Sequence, residues 1–371
     1  MKIIKIKDTT NKLFYIGGVV RDEILGKKSF DIDLTYVGNA IEYAKKLDNA
    51  QILKVNEPFG TVRIQIDDKE IDIASTRKEI YKRVGHLPTI TTIGCSLKDD
   101  VLRRDFTINA LAKNFNTGEI IDYTGGLNDI KNKTLRVLHD KSFIEDPTRI
   151  IRALKFAIRF DFHLDEHSQK LRDEYLQNIN YDMSFKRVKK ELIETFNLNS
   201  QKAYNEFIDA NIYKLITTKN IKKSNINIEY FINKYKFLIN PANIWLIYVG
   251  TLEDLSNLPL TKEENNILES FKKIKYKTPA TDYETYNMFR NVPKETVLLY
   301  GIMTNELVAI NYLENLRDIK LEITGKDLQN LGIKPSPEYK KCFEKILEQK
   351  CYNSHLNKMD EIILAKEFFK K

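Results

Sequence analysis

The chain has 371 residues, past the size at which one hydrophobic core usually stops growing, so two or more domains are expected. Its 60 Lys and Arg against 52 Asp and Glu give a formal charge of +8, which favours a polyanionic partner without naming one. Three cysteines without metal-ligand spacing (Cys95, Cys342, Cys351), no signal-peptide pattern and no apolar run near ~18 residues argue against disulfide scaffolds, thiolate metal sites and membrane spans, and for a cytoplasmic location.

The first element is an apolar run, Leu13–Ile16, that leads into Gly17-Gly18-Val19-Val20-Arg21-Asp22. After it, Asp31-Ile32-Asp33 opens a second apolar run over 34–37. A turn without side chains lets backbone N–H groups approach a phosphate, and two carboxylates one residue apart on a strand point to one face. An ordinary turn and a solvated strand edge would read the same in isolation. The apolar runs around both features favour a nucleoside triphosphate held on a pair of metal ions.

Asn39 can cap a helix over 40–47, and 51–55 reads as a strand. Residues 61–66 and 70–74, joined by an Asp67-Asp68 turn, read as a hairpin. The run Arg103-Arg104-Asp105-Phe106-Thr107-Ile108-Asn109-Ala110-Leu111 predicts a helix over 107–112 with Asp105 or Thr107 as its cap. Asp122, Gly125, Gly126 and Asp129 follow.

Beyond Asp146 strand signals nearly vanish, and amphipathic stretches run over 150–160, Phe185–Phe196, Lys262–Ile274 and 339–349. The fold class is therefore α+β: a mixed head over 1–136, then helical segments over 137–205 and 206–371, with an exposed connector at 217–227. Pro147 suits a first helical turn, and Ile150, Leu154, Ala157 and Ile158 form an apolar stripe. The other side carries Asp146, Arg149, Arg152 and Lys155, spaced three apart, which alone reads as a salt-bridged solvated face.

The glycine turn, the paired aspartates, 103–111, 122–129 and Glu145-Asp146-Pro147-Thr148-Arg149-Ile150-Ile151-Arg152-Ala153 stand in one order. In that order the chain resembles the class II tRNA nucleotidyltransferases, or CCA-adding enzymes, with the A-adding enzymes and bacterial poly(A) polymerases. The resemblance is dense over about residues 12–195. It implies a polymerase-beta-like nucleotidyltransferase head followed by an all-helical neck, body and tail. It also implies template-independent addition of C and A, from CTP and ATP, to the 3′ end of tRNA, with two Mg²⁺ ions and release of pyrophosphate.

By the same resemblance Asp31 and Asp33 are the catalytic metal ligands, with Asp72 a candidate third carboxylate. Gly18 and Arg21 match positions that bind triphosphate, although a salt bridge from Arg21 to Asp22 or Glu23 is the plain alternative. Arg104 matches a nucleotide contact, and Arg103 reads as structural. Asp146 and Arg149 match a protein template for the incoming base. An Asp accepts from the exocyclic amine of C or A while an Arg donates to the ring nitrogen, and U and G present the opposite order. Arg152 fits a phosphate or base-supporting role, and Lys155 stands where many members carry Arg.

By the resemblance, Thr76-Arg77-Lys78-Glu79 and the stretch 80–96 occupy the place of a mobile loop that CC-only enzymes shorten, and its full length here argues against a CC-only enzyme. Lys234-Tyr235-Lys236-Phe237 and Phe271-Lys272-Lys273-Ile274-Lys275-Tyr276-Lys277 interleave cations and aromatics, which suits RNA or a solvated helix face equally. Thr324-Gly325-Lys326-Asp327-Leu328 and Gly332 to Pro337 match a tail element, a strand or loop feeding a helix near Glu338. An A-adding enzyme, a poly(A) polymerase and a catalytically idle RNA-binding relative are the alternatives, and nothing in the sequence bears on oligomeric state.

Overall fold

The computed structural model describes residues 6–28, 32–67 and 69–370. Chain contacts divide it into two units, Met1–Ile221 with Leu255–Pro259, and Lys222–Asp254 with Leu260–Lys371.

In the first unit the strands are β1 (Leu13–Ile16), β2 (Asp33–Tyr36), β3 (Gln51–Asn56), β4 (Thr61–Ile66), β5 (Lys69–Ser75), β6 (Arg77–Ile80), β7 (Thr89–Ile93), β8 (Leu111–Asn114) and β9 (Ile120–Asp122). Seven of them form one sheet in the order β3-β4-β5-β2-β1-β8-β9, and β6 pairs with β7 as a separate hairpin. Only β2 and β5 run parallel within the seven-stranded sheet. Along β4 and β5, Val62, Ile64, Ile66, Ile71 and Ile73 are buried and face one way, where the helix Ala40–Ala44 packs. The intervening Arg63 and Asp72 therefore project from the other face, because side chains alternate along a strand. The hairpin of 61–66 with 70–74 forms as expected, although Asp68 of its turn lies outside the described residues.

The head helices are α1 (Gly18–Ile24), α2 (Ala40–Ala44), α3 (Leu97–Leu102) and α4 (Gly126–Lys131). Asn39 caps α2 as expected, accepting from Ile41 and Glu42 N–H, and the helix ends earlier than residue 47. The helix expected over 107–112 does not form. A short 3-10 turn, Thr107–Asn109, is followed directly by β8, and neither Asp105 nor Thr107 caps it. Ile108, Ala110, Leu111 and Ala112 are all fully buried, so no polar face exists from which a helix would be read. A short continuous apolar run fits a central strand equally well, and pairing with β1 and β9 decides it.

Asp122 at the end of β9 accepts from the N–H groups of Thr124, Gly125, Gly126 and Leu127, which anchors α4. Gly126 is required by a close approach, since a Cβ there would lie 2.3 Å from the Thr107 carbonyl oxygen. Gly126→Ala is expected to cost about 1–3 kcal/mol, as overpacking does. A thermal melt reads this, and an unchanged midpoint would contradict it.

Beyond the head the first unit continues with α5 (Ser142–Glu145), α6 (Thr148–Phe160), α7 (Glu166–Gln177), α8 (Phe185–Phe196) and α9 (Gln201–Asp209). The expected all-helical neck has one exception, a two-residue strand His163–Leu164 paired parallel to Thr134–Leu135. Helix α6 buries Ile150, Ile151 and Leu154 and packs against α8 and α9.

The second unit holds α10 (Ile228–Tyr235), α11 (Ile244–Val249), α12 (Lys262–Ile274), α13 (Asp282–Phe289), α14 (Lys294–Met303), α15 (Glu306–Asn311), α16 (Gly325–Asn330), α17 (Glu338–Tyr352) and α18 (Lys358–Phe369), with no strand among its described residues. Helix α14 is buried from Glu295 to Ile302 and forms its centre. Thr324 and Asp327 form a capping box that starts α16, so a short helix replaces the expected strand or loop before α17. In the two Lys-aromatic clusters Tyr235 and Phe271 belong to the core, whereas Phe237 and Tyr276 are 70% and 83% exposed. The three cysteines are free and buried. No helix among the described residues is long and apolar enough to cross a membrane.

Candidate active site

A cavity of about 470 Å³ opens on the sheet face opposite α2, lined by Asp33, Arg63, Asp72, Arg77, Arg103 and Arg104 among others. Asp33 on β2 and Asp72 on β5 are Cα partners in the parallel register, so both carboxylates belong to one face. Asp31 lies outside the described residues. The Asp72 carboxylate accepts from Arg63 Nε and Nη2 at 2.8 and 2.7 Å, with both side chains about half exposed. Such a surface pair is held weakly and exchanges its partners readily.

Beside these carboxylates, Gly17 turns the chain from β1 into α1 with φ +72°, a conformation that glycine adopts without strain. Its N–H donates to the Leu111 carbonyl at 3.0 Å. A Cβ on Gly17 would lie 2.9 Å from Arg104 Nη1, so the Arg104 guanidinium lies directly over the turn. Arg104 Nη2 donates to Asp100 at 3.2 Å, and Nε is buried without a partner. The guanidinium group as a whole, through Nη1, lies between the Gly17 turn and the cavity that Arg104 lines, where an anion would meet it. Arg103 instead pairs with Glu79 and Asp100, the structural role expected of it.

Arg21 departs from expectation. It is 4% exposed, donates to Asp22 at 2.8 and 2.6 Å and to Asn109 at 2.5 Å, and lies over the Phe160 ring. The salt bridge with Asp22, the plain alternative, is the arrangement found, because a buried guanidinium needs a carboxylate to offset its desolvation. Its Nη2 lies beneath Gly18, 3.4 Å from where a Cβ would stand. Arg21 thus braces the turn from below rather than lining the cavity.

The polar file of α6 is not solvated. Asp146, Arg149 and Lys155 are buried, and Arg152 is half-buried. Pro147 falls at the N-cap rather than inside the first turn, and Asp146 Oδ1 accepts from Thr148 N–H at 3.2 Å and Thr148 Oγ1 at 2.6 Å. Asp146 Oδ2 accepts from Arg187 on α8. Arg149 donates to Ser142 Oγ at 2.7 Å, to Tyr81 Oη at 3.3 Å and to the Arg103 carbonyl at 3.2 Å. Lys155 donates to Glu191 and Glu194 of α8 at 2.7 and 2.5 Å, so its compact ammonium bridges two carboxylates. The file is buried because α8 opposes it with Arg187, Glu191 and Glu194. These partners are not singled out by the sequence, which places Tyr81 in the loop without pairing it to Arg149. The spacing of Arg187 and Glu191, i and i+4 on an amphipathic helix, is the signal that could have found two of them.

Arg152 reaches back into the head, donating to Asp105 Oδ2 at 2.9 and 2.6 Å and to Glu191 at 3.2 Å. Asp105 Oδ1 accepts from Asn109, which in turn accepts from Arg21. A continuous polar chain therefore runs from α6 to the support of the glycine turn. Burial alone would raise the Asp105 carboxyl, but the Arg152 charge, with hydrogen bonds from Asn109 and Arg152, outweighs it and holds the group far below the usual range. A carboxyl depressed on folding stabilises the fold above its unfolded value of about 4, and that contribution is lost as pH falls further. Asp105→Asn is expected to flatten the fall of melting temperature below about pH 4. An acid profile parallel to that of the wild type would contradict this.

Within the expected loop, β6 and β7 form a hairpin from Arg77 to Ile93, and its tip is docked. Gly85 N–H donates to the Glu145 carbonyl at 2.9 Å, Ser184 N–H donates to the Gly85 carbonyl at 3.0 Å, and Arg187 Nη1 donates to the His86 carbonyl at 3.2 Å.

Residues 13–136 match the model of the poly A polymerase head domain, a span that includes Gly17, Asp33, Asp72 and Arg104 and ends before Asp146. The chain is 33% identical over 366 residues to the A-adding tRNA nucleotidyltransferase of Aquifex aeolicus, covering 87% of this chain and 43% of that protein. It therefore spans less than half the length of that relative. It is 29% identical over 384 residues to the A-adding tRNA nucleotidyltransferase of Halalkalibacterium halodurans, covering 96% of this chain and 88% of that one. Among solved structures, the Thermotoga maritima CCA-adding enzyme complexed with tRNA-CCA matches with a TM-score of 0.76 and 25% identity, over 97% of this chain and 91% of that chain.

Proposed function

The chain belongs to the class II tRNA nucleotidyltransferase and bacterial poly(A) polymerase family, and on that premise we propose that it adds C and A, from CTP and ATP, to the 3′ end of tRNA. The observation that carries this reading is the cavity itself. It is lined by Asp33 and by Arg104, whose guanidinium overlies the Gly17 turn.

The Gly18 N–H and the Arg104 guanidinium bind the triphosphate, with the Gly17 N–H tied to the Leu111 carbonyl and Arg21 holding the turn in place from below. Asp33 offers hard carboxylate oxygen on the cavity face, the donor type that Mg²⁺ takes, and Asp31 is the second ligand of the pair. Mg²⁺ held by Asp31 and Asp33 would supply activation of the tRNA 3′ hydroxyl and neutralisation of charge on the departing pyrophosphate. Asp146 accepts from the exocyclic amine of the base and Arg149 donates to its ring nitrogen. Arg152 acts indirectly, positioning Asp105. The exposed Phe237 and Tyr276 with their neighbouring lysines provide stacking and phosphate contacts for RNA. Such an enzyme works in the cytoplasm, where free thiols persist.

A second reading, addition of A only, is favoured by the names of the Aquifex and Halalkalibacterium relatives, since cytosine and adenine present the same donor and acceptor order. Three tRNA transcripts, ending before CCA, after C and after CC, each offered CTP and ATP separately, separate the two. C added to the first two and A to the third supports CCA addition. A added to the third alone supports the second reading, and no addition to any overturns both.

A further inference from the structure

Asp146 is a poor base reader by itself. A carboxylate has about four lone-pair sites and rotates about its Cβ–Cγ bond, so an amine-sized target is met only if other partners fix the group. One side is fixed locally, since Oδ1 takes both the N–H and the hydroxyl of Thr148, two residues on. The other side is fixed from a distance by Arg187, forty-one residues away in sequence.

The Arg187 guanidinium is itself held at two points. Nη2 donates to Asp146 Oδ2 and lies 3.3 Å from Thr148 Oγ1, while Nη1 donates to the carbonyl of His86 at the hairpin tip. A planar fork with two separate anchors leaves the carboxylate one orientation, and a lysine ammonium cannot span both anchors as a rigid plane. With three of about four lone-pair sites taken, one acceptor direction remains on Asp146. Neither Arg187 nor Asp146 lines the cavity beside Asp33, and Arg187 donates to Asp146, Thr148 and the His86 carbonyl, so its hydrogen bonds serve the Asp146 carboxylate and the hairpin tip.

We infer that Arg187 is the positioning residue that sets the base-reading orientation of Asp146, and through it the selectivity for amine-bearing bases. This rests on the reading of Asp146 given above. The test is single-nucleotide incorporation kinetics with all four triphosphates for the wild type, Arg187→Gln, Arg187→Lys and Arg83→Ala, with thermal melts of each. Arg83 pairs with Asp182 at the same hairpin tip without touching Asp146, so it reports on tip docking alone.

Arg187→Gln is expected to lower the preference for CTP and ATP over UTP and GTP by about tenfold or more, the scale of one charge-assisted hydrogen bond. Arg187→Lys, which keeps charge and folds most conservatively, is expected to fall between, and Arg83→Ala to keep the wild-type ratio. A uniform loss of kcat/KM with an unchanged ratio in both Arg187 variants overturns the inference while leaving the proposed function intact. An equal loss of selectivity in Arg83→Ala also overturns it, because tip docking would then be the cause. A wild-type chain that extends no tRNA overturns the proposed function and this inference together.

Discussion

Asp33→Ala, and equally Asp31→Ala, is expected to slow nucleotide addition by about 100-fold or more while tRNA binding persists. Mg²⁺ typically takes only one or two protein carboxylates and completes its shell with water and substrate phosphates, so one lost aspartate removes a large share of the protein's hold on it. On the proposed function tRNA affinity rests on other groups, the Lys-aromatic surfaces of the helical part, and is not expected to change. Single-turnover incorporation read beside filter binding separates the two quantities. Near-normal incorporation would contradict the metal assignment, and binding lost in parallel would point to misfolding. Asp72→Ala belongs in the same experiment, because Asp72 shares register and face with Asp33 yet engages Arg63. A comparable loss makes it a third ligand, and an unchanged rate leaves it as the partner of Arg63.

Asp146→Ala should reduce discrimination against UTP and GTP more than it reduces overall catalysis. A site that hydrogen-bonds its ligand rejects a wrong partner because buried polar groups are left unpaired, and several kcal/mol of selectivity are at stake. The capping account predicts something different, a loss of about 1 kcal/mol in stability with nucleotide preference unchanged. Capping does occur, through the Thr148 N–H, so stability should fall in either case and only selectivity decides. Asp146→Asn sharpens the comparison. It keeps an acceptor for Thr148 but turns the oxygen that accepts from Arg187, and that would meet the base amine, into an amide donor, so the Arg187 contact is lost as well and uptake of UTP and GTP should gain relative to CTP and ATP. Unchanged preference in both variants would leave Asp146 only its cap.

Local chemistry was legible in the sequence wherever one segment carries its own signal. Gly17-Gly18 after an apolar run, Asn39 at a helix start, and the alternating Val62-Ile64-Ile66 and Ile71-Ile73 strands all fold as their patterns indicate. The failures share a cause. Arg21 and the 107–112 stretch depend on what packs around them: Phe160 and Asn109 bury the first, and flanking strands β1 and β9 turn the second from helix to strand. The file of Asp146, Arg149, Arg152 and Lys155 reads as a surface in one dimension because the residues that bury it, Arg187, Glu191 and Glu194, come from α8, and a periodicity cannot say which helix lies opposite. Asp122 and Gly126 read as part of a functional pattern, yet the structure gives them an architectural task, holding α4 against Thr107.

On the proposed function this chain selects a base with its own residues and stops after building a defined tRNA end. The most direct measurement is to incubate the wild-type chain with a tRNA transcript ending in CC, Mg²⁺ and all four triphosphates, and to sequence the product. One added A and no further extension is expected, whether the chain adds CCA or A alone. An unextended transcript, a mixture of bases at the new position, or an indefinite run of A would contradict the account.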